Sequence, residues 1–214
     1  PNIPCPDAVP VLDAGSCTLR GWSTDDAREY YDWMRDAEVG RYLGRPLDSE
    51  ADALDELRTY IADVRRGAAM RWAVEARDTG RVVGRCHLFR WDATNARASL
   101  GYALARSQWG QGITTRVVRA ALAWALGGTA AGLHRIEAAA AVNNAASTRV
   151  LISAGFTREG VLREYRECAH GYEDFGMYGL LRSEWRNAHG CDATVAARMA
   201  DSERPPAETN ADPA

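Results

Sequence analysis

The residues best suited to chemistry lie in one run, Gln108-Trp109-Gly110-Gln111-Gly112-Ile113-Thr114-Thr115. Behind it, Val117, Val118, Ala121, Leu122, Ala125 and Leu126 recur at helical spacing, and Gly127-Gly128 supplies a stop. Ahead of it, Ser99 to Leu104 reads as a strand. A strand, a glycine-punctuated turn and a helix make an anion site. The amides of the turn and first helical turn lack internal partners, and the helix dipole favours negative charge there. The two glycines let backbone approach a phosphate with no Cβ between. The same run also reads as a tight connection that binds nothing, because a short Gly-x-Gly is a weak signal.

Other reactive side chains are scattered. His134 and His170 have an intrinsic pKa of about 6.5, but a lone histidine at a strand start or loop tip is usually solvated. Glu137 reads as an ion-pair partner of a neighbouring arginine. The five cysteines, Cys5, Cys17, Cys86, Cys168 and Cys191, are odd in number and widely spaced, with no Cys-x-x-Cys. They read as reduced thiols in a cytoplasm rather than a disulfide framework or a metal set. A formal charge of −3 gives no electrostatic case for nucleic acid or an anionic membrane. No apolar run approaches a membrane span. Pro1 to Pro6 has neither the basic start nor the apolar core of a secretion signal.

The elements that must position these residues follow from periodicity. Residues 1–15 are Pro-rich and expected to be loosely held. Ser16 to Arg20 is a short strand. Thr24-Asp25-Asp26 starts a helix carrying Ala27, Tyr30, Tyr31 and Met34. Gly40 to Pro46 is a break. Asp48-Ser49 caps a second helix whose apolar face is Ala53, Leu54, Leu57, Ile61 and Val64. Met70 to Ala76 and Arg81 to Arg90 pair around Asp78-Thr79-Gly80. Arg97 to Leu104, then Leu133 to Val142, are further strands joined through the glycine turn and its helix. Asn143 to Ser147 starts a short helix closed by Gly155. Phe156 to Arg166 and Glu173 to Leu181 form a last hairpin, and the chain decays from Trp185 onward. The order predicts one α/β (α+β) domain over residues 16–186, with a mixed, mostly antiparallel sheet and a disordered tail over 187–214. The strand–helix–strand unit over 97–142 is a right-handed parallel crossover, with any ligand at the carboxyl ends of its strands.

Three places together resemble a known family. Leu100-Gly101-Tyr102-Ala103-Leu104 leads into Trp109-Gly110-Gln111-Gly112. Asn144-Ala145-Ala146-Ser147 precedes Gly155-Phe156. Glu159-Gly160-Val161-Leu162-Arg163-Glu164-Tyr165 is followed by Gly171 and Asp174. In this order and spacing the chain resembles the GNAT superfamily of acyl-CoA N-acyltransferases, and within it the Rim-type group that acetylates ribosomal-protein N-termini. Three positions depart from that pattern. Trp109 stands where the superfamily favours Gln or Arg, though Trp is frequent in the Rim-type group, and Thr114 stands where Gly or Ala is favoured. Ser99 stands where an acidic residue is common, which leaves the general base open.

The resemblance implies acetyl-CoA as co-substrate, with no metal. Gly110, Gln111, Gly112, Thr114 and Thr115 would hold its phosphates, and Asn144 its pantetheine arm unless Asn144 only caps the helix. A backbone N–H near Ala103 or Leu104 would polarise the thioester carbonyl. Ser147 would assist the leaving thiolate, or cap the helix. Glu164 is the leading general base, against a reading as a solvated strand carboxylate. Trp33, Tyr42, Trp91 and Tyr165 would wall the acceptor side, against a reading of each as an ordinary core or rim aromatic. An α-amino group, with a pKa near 7.7–8.0, is easier to deprotonate than a lysine at about 10.4. The expected acceptor is a primary amine: a peptide or ribosomal-protein N-terminus, or a small metabolite or antibiotic. A non-catalytic acyl-CoA-binding module is the reading from another class. A longer acyl donor, a homodimer and a cytoplasmic location are compatible with all of these.

Overall fold

The computed structural model describes residues 9–43, 47–128, 131–168 and 171–189. Among these, eight strands form one sheet: β1 (Leu12–Asp13), β2 (Cys17–Arg20), β3 (Met70–Ala76), β4 (Val82–Asp92), β5 (Arg97–Leu104), β6 (Arg135–Ala141), β7 (Thr157–Cys168) and β8 (Gly171–Leu181). Their order across the sheet is β1-β2-β3-β4-β5-β6-β8-β7. Every neighbouring pair is antiparallel except β5 and β6, which are parallel. The helices are α1 (Ala27–Met34), α2 (Ala37–Gly40), α3 (Glu50–Arg65), α4 (Ile113–Leu122), α5 (Ala145–Ser153) and α6 (Arg182–His189). This is the mixed, mostly antiparallel single sheet that the sequence predicts.

Alternation along the strands sorts the core into two layers. On one face Cys86 and Leu88 of β4, and Leu100 and Leu104 of β5, pack with Val117, Val118, Ala121 and Leu122 of α4 and with Leu151 of α5. On the other, Ala73 and Ala103 pack under Tyr30, Trp33 and Met34 of α1 and Leu57 and Tyr60 of α3. The cap read at Ser49 forms, while the helix start read at Thr24 is capped one residue earlier, by Ser23. Ser23 makes a capping box with Asp26, and the Ser49 hydroxyl accepts from the Asp52 amide at 3.1 Å.

The described residues nearest each end carry more structure than residue type suggests. Within the stretch expected to be loose, β1 pairs with β2, Leu12 and Ala14 are buried, and Trp72 Nε1 donates to the Pro10 carbonyl at 2.9 Å. After Leu181 the chain turns into α6 rather than decaying. Its polar face is exposed, but Trp185 is buried and stacks on His189 with ring centroids 3.8 Å apart. The remaining residues of the expected tail, and His170, Cys5 and Cys191, lie outside the described residues. Cys17, Cys86 and Cys168 are buried free thiols.

The feature that makes a site is a divergence of strands. β5 pairs with β6 only from Arg97↔Arg135 to Leu100↔Ala138. Beyond that point β5 stays with β4 as far as Leu104, and β6 stays with β8 as far as Ala141. The two parallel strands therefore part at Gly101 and Ala139, and a cleft of about 780 Å³ opens between them. Gly84 keeps β4 close to β5 there: a Cβ on it would lie 2.6 Å from the Ala103 carbonyl oxygen.

Candidate active site

One wall of the cleft is the edge of β5. The Ala105 amide donates back to Val83 on β4 at 2.7 Å. Successive amides on a strand point to opposite edges, so the Leu104 amide faces the cleft. The Leu104 carbonyl agrees with this, because it accepts from Trp109 Nε1 at 2.9 Å rather than from β4. The indole is thus fixed beside the mouth of the turn, with 46% of its surface exposed.

At that mouth Gly110 and Gly112 both take positive φ, 75° and 69°, and Gly112 is the N-cap of α4. The first amide of α4 to find a backbone carbonyl is that of Arg116, on Gly112 at 3.3 Å. The amides of residues 110–115 have no partner among the described residues. Gly110, Gly112, Thr114 and Thr115 line the cleft, and a Cβ at Gly110 would meet nothing within 4 Å. The turn is an open cradle of main-chain donors, which fits a diphosphate. Gln111 is turned away: its Nε2 donates to the Ser107 carbonyl at 2.9 Å, so only its amide serves the cradle. Arg116 braces the turn from behind through the carbonyls of Ala14 and Gln111.

The opposite wall is the start of α5. Asn144 is the N-cap, and its Oδ1 accepts from the Ser147 amide at 3.0 Å. Capping is therefore an observed role of Asn144. Its Nδ2 has no partner among the described residues, and the residue lines the cleft. The Ser147 hydroxyl lies 2.8 Å from the Tyr102 hydroxyl, which reaches across from β5. Tyr102 was legible only as a strand residue. Burial pushes its phenol pKa up, so it stays protonated and keeps a proton in this pair.

On the far side of the sheet the cleft is walled by Tyr42, Phe89, Tyr165 and Phe175. Tyr42 and Tyr165, two of the four aromatics expected on the acceptor side, are in this lining. Trp33 is not: it is buried in the core between α1 and the sheet, edge-on to Tyr30 at 5.2 Å. Its position on the buried face of α1 excludes it from the wall. Trp91 is half-buried against the other core and does not line the cleft. Glu164 is also displaced. A register shift between Leu162 and Arg166 leaves it exposed at φ 47°, its amide held by Asp174 Oδ1 at 2.8 Å. The bulge turns it out of the cleft lining. Glu137 does line the cleft, but is committed to Arg135 at 3.0 Å and Arg97 at 3.5 Å. His134 is exposed at the strand start.

The residue that sequence reasoning missed is His87. It faces Gly101 across the β4–β5 ladder, and a Cβ at Gly101 would lie 3.0 Å from its ring. The glycine makes room for the imidazole over the strand edge. His87 is buried, its Nδ1 has no partner, and it lines the cleft. Burial, and then Arg85 and Arg71, hold its pKa well below the usual value, so it is neutral. Linkage gives this a measurable sign. Below about pH 6.5 the unfolded chain gains a proton that the folded chain refuses. Stability therefore falls as pH drops from about 6.5 toward the folded pKa, by up to about 1.4 kcal/mol per pH unit. Denaturant melts from pH 7.5 to 5.5 are expected to be less steep in pH for His87→Gln than for the parent. Equal slopes would place the imidazole in contact with water.

The comparisons agree with this geometry. The family model described as an acetyltransferase (GNAT) domain matches residues 17–157. The uncharacterised N-acetyltransferase YoaA of Bacillus subtilis is 31% identical over 174 residues, 81% of this chain and 97% of the relative. Among solved structures, the ribosomal-protein-S5-alanine acetyltransferase of Vibrio fischeri superposes with a TM-score of 0.74 at 20% identity, covering 82% of this chain and 98% of its own. The spermidine N-acetyltransferase of Vibrio cholerae, in complex with CoA and spermine, gives 0.70 at 24%, covering 79% and 98%. Parted parallel strands beside an amide-lined turn, on a chain so matched, make this protein an acyltransferase of the GNAT acetyltransferase family.

Proposed function

We propose that the enzyme transfers an acetyl group from acetyl-CoA to the primary amine of a small molecule. The opening between β5 and β6 carries this reading. It joins an anion cradle on one side of the sheet to an aromatic wall, Tyr42, Phe89, Tyr165 and Phe175, on the other. A wide acidic groove would have suited a cationic peptide. The wall here is aromatic and arginine-rich instead.

Acetyl-CoA, when bound, supplies an activated acetyl group as a thioester. The amides of residues 110–115 would hold its phosphates. Leu104 N–H, turned toward the cleft by the alternation along β5, would donate to the carbonyl oxygen as negative charge develops there. Ser147 Oγ, held by Tyr102, would donate to the departing sulfur. The amine must arrive as the free base. Burial first, and then Arg85 and Arg71, keep His87 neutral, and the same surroundings disfavour an ammonium beside it. Deprotonation then needs no dedicated carboxylate, which suits a cleft from which Glu164 is turned away. Ordered placement of the two reactants supplies much of the rate.

Peptide N-terminal acetylation is the second reading, supported by the likeness to the S5-alanine acetyltransferase. A panel of free amines and short peptides with acetyl-CoA, read by thiol release and product mass, separates the two. Acetyl-CoA binding with no thiol release across the panel would leave only a binding module. Ser147→Ala is expected to lower kcat about ten- to a hundred-fold, with CoA affinity within about two-fold. Parental turnover would reduce Ser147 to a helix-terminal hydroxyl.

A further inference from the structure

We infer that the acceptor is a small primary amine that also carries an anionic group, a carboxylate or a phosphate. The inference rests on the reading above and names the substrate class of that site. Many of the described arginines are committed to carboxylates: Arg20, Arg71, Arg85, Arg97 and Arg135, for instance, each hold at least one. Arg41, Arg90 and Arg166 differ. All three line the acceptor side of the cleft, and none has a carboxylate partner among the described residues. Each instead lies over an aromatic ring of the same wall. The Cζ of Arg166 is 4.8 Å from the Phe175 centroid, that of Arg41 5.3 Å from Tyr42, and that of Arg90 5.8 Å from Phe89.

A guanidinium held over an aromatic face is attracted to the ring without using its N–H donors, which are left to meet a ligand. Arg41 Nε is buried with no partner, so one donor at this wall is already desolvated and unanswered. Two carboxylates share the lining. Glu137 is neutralised by Arg135 and Arg97, and Glu38 is exposed without an ion pair among the described residues. Unpaired positive charge therefore exceeds unpaired negative charge at the mouth. A polycation would be repelled there, and a planar anion would meet donors arranged for bidentate contact.

The test uses matched pairs. Each L-amino acid is compared with its carboxamide as acceptor, beside 2-aminoethyl phosphate, spermidine and short peptides with acidic second residues. In parallel, N-acetyl amino acids and their carboxamides are titrated by calorimetry into the protein saturated with CoA. Carboxylate or phosphate is expected to be preferred about ten- to a hundred-fold over the neutral match in kcat/KM or Kd, the range of a charge-assisted pair. Which of the two wins identifies the anion. Arg166→Gln is expected to shrink that ratio at least about five-fold, with an unchanged melting temperature. Equal use of acid and amide, a preference for spermidine, or a preference for the peptides would each overturn the inference. Absence of any transfer would sink the enzymatic reading, while the calorimetric arm would still report the anion preference.

Discussion

Gly112→Trp is expected to remove measurable CoA binding, a loss of about a thousand-fold or more in Kd, while the protein still folds. Each charge-assisted hydrogen bond from an amide to a phosphate oxygen stabilises by about 1.5–3 kcal/mol. An indole at the N-cap of α4 stands in front of several such amides at once. Losing two of them already costs about a hundred- to ten-thousand-fold. A second, smaller term is backbone strain, about 1–2 kcal/mol for an L residue at φ 69°. Gly112→Ala separates the two terms. Its Cβ would meet only Arg116 Nη1, at 3.5 Å, so alanine carries the strain without the obstruction. Calorimetry with CoA is expected to show a few-fold loss for alanine and no detectable binding for tryptophan. The turn is exposed, and circular dichroism melts of both variants should stay within a few degrees of the parent. An unchanged Kd for the tryptophan variant would move the phosphate site away from this turn.

The cradle was legible because its signals are local. Two glycines followed by a helical apolar period specify a turn and a helix start within twenty residues, and Asn144 to Ser147 does the same for α5. What sequence hid depends on which elements cover which face. Arg85, His87 and Phe89 alternate with Cys86 and Leu88, the pattern of a strand with one wet face. The face is dry because α1 and α3, which precede the strands in sequence, fold over it. The cue was present: two amphipathic helices need a face to cover. Glu164 failed for a different reason. Its side chain direction depends on two register shifts in the β7–β8 hairpin, and an extra residue flips everything beyond it. Trp33, for which the resemblance leaves wall and core both open, is core, and its period along α1 in step with Tyr30 decides between them. At the C-terminus, α6 is polar almost throughout, so its one buried anchor, Trp185, gave too little periodicity to register.

Arg85→Met tests the support beneath the acceptor wall and is expected to cost about 3 kcal/mol. Arg85 is buried with its Nη1 donating to the hydroxyls of Tyr30 and Tyr60, the latter at 2.8 Å, and to Glu56 Oε1 at 3.1 Å. Burial alone would push the guanidinium pKa down, but Tyr60, Tyr30 and Glu56 more than offset it, and the pKa is raised. The charge is therefore permanent and bound to α1 and α3 at once. Methionine conserves much of the volume but leaves a carboxylate and two phenol oxygens without their shared donor. Glu56 is 29% exposed, so water relieves part of the penalty and the cost stays at the lower end for a broken buried pair. For a chain of this size the melting temperature should fall by about 6–12 °C. The field at His87 should weaken with it, raising the imidazole pKa toward its ordinary value. A single variant thus predicts two linked readouts, a lower melting temperature and an imidazole that titrates nearer neutrality by NMR. CoA affinity should be unchanged, since the phosphate turn lies beyond β5. A melting temperature within about 2 °C of the parent would mean that the tyrosines and Glu56 satisfy one another without the arginine. The cation would then owe its place to the acceptor rather than to the fold.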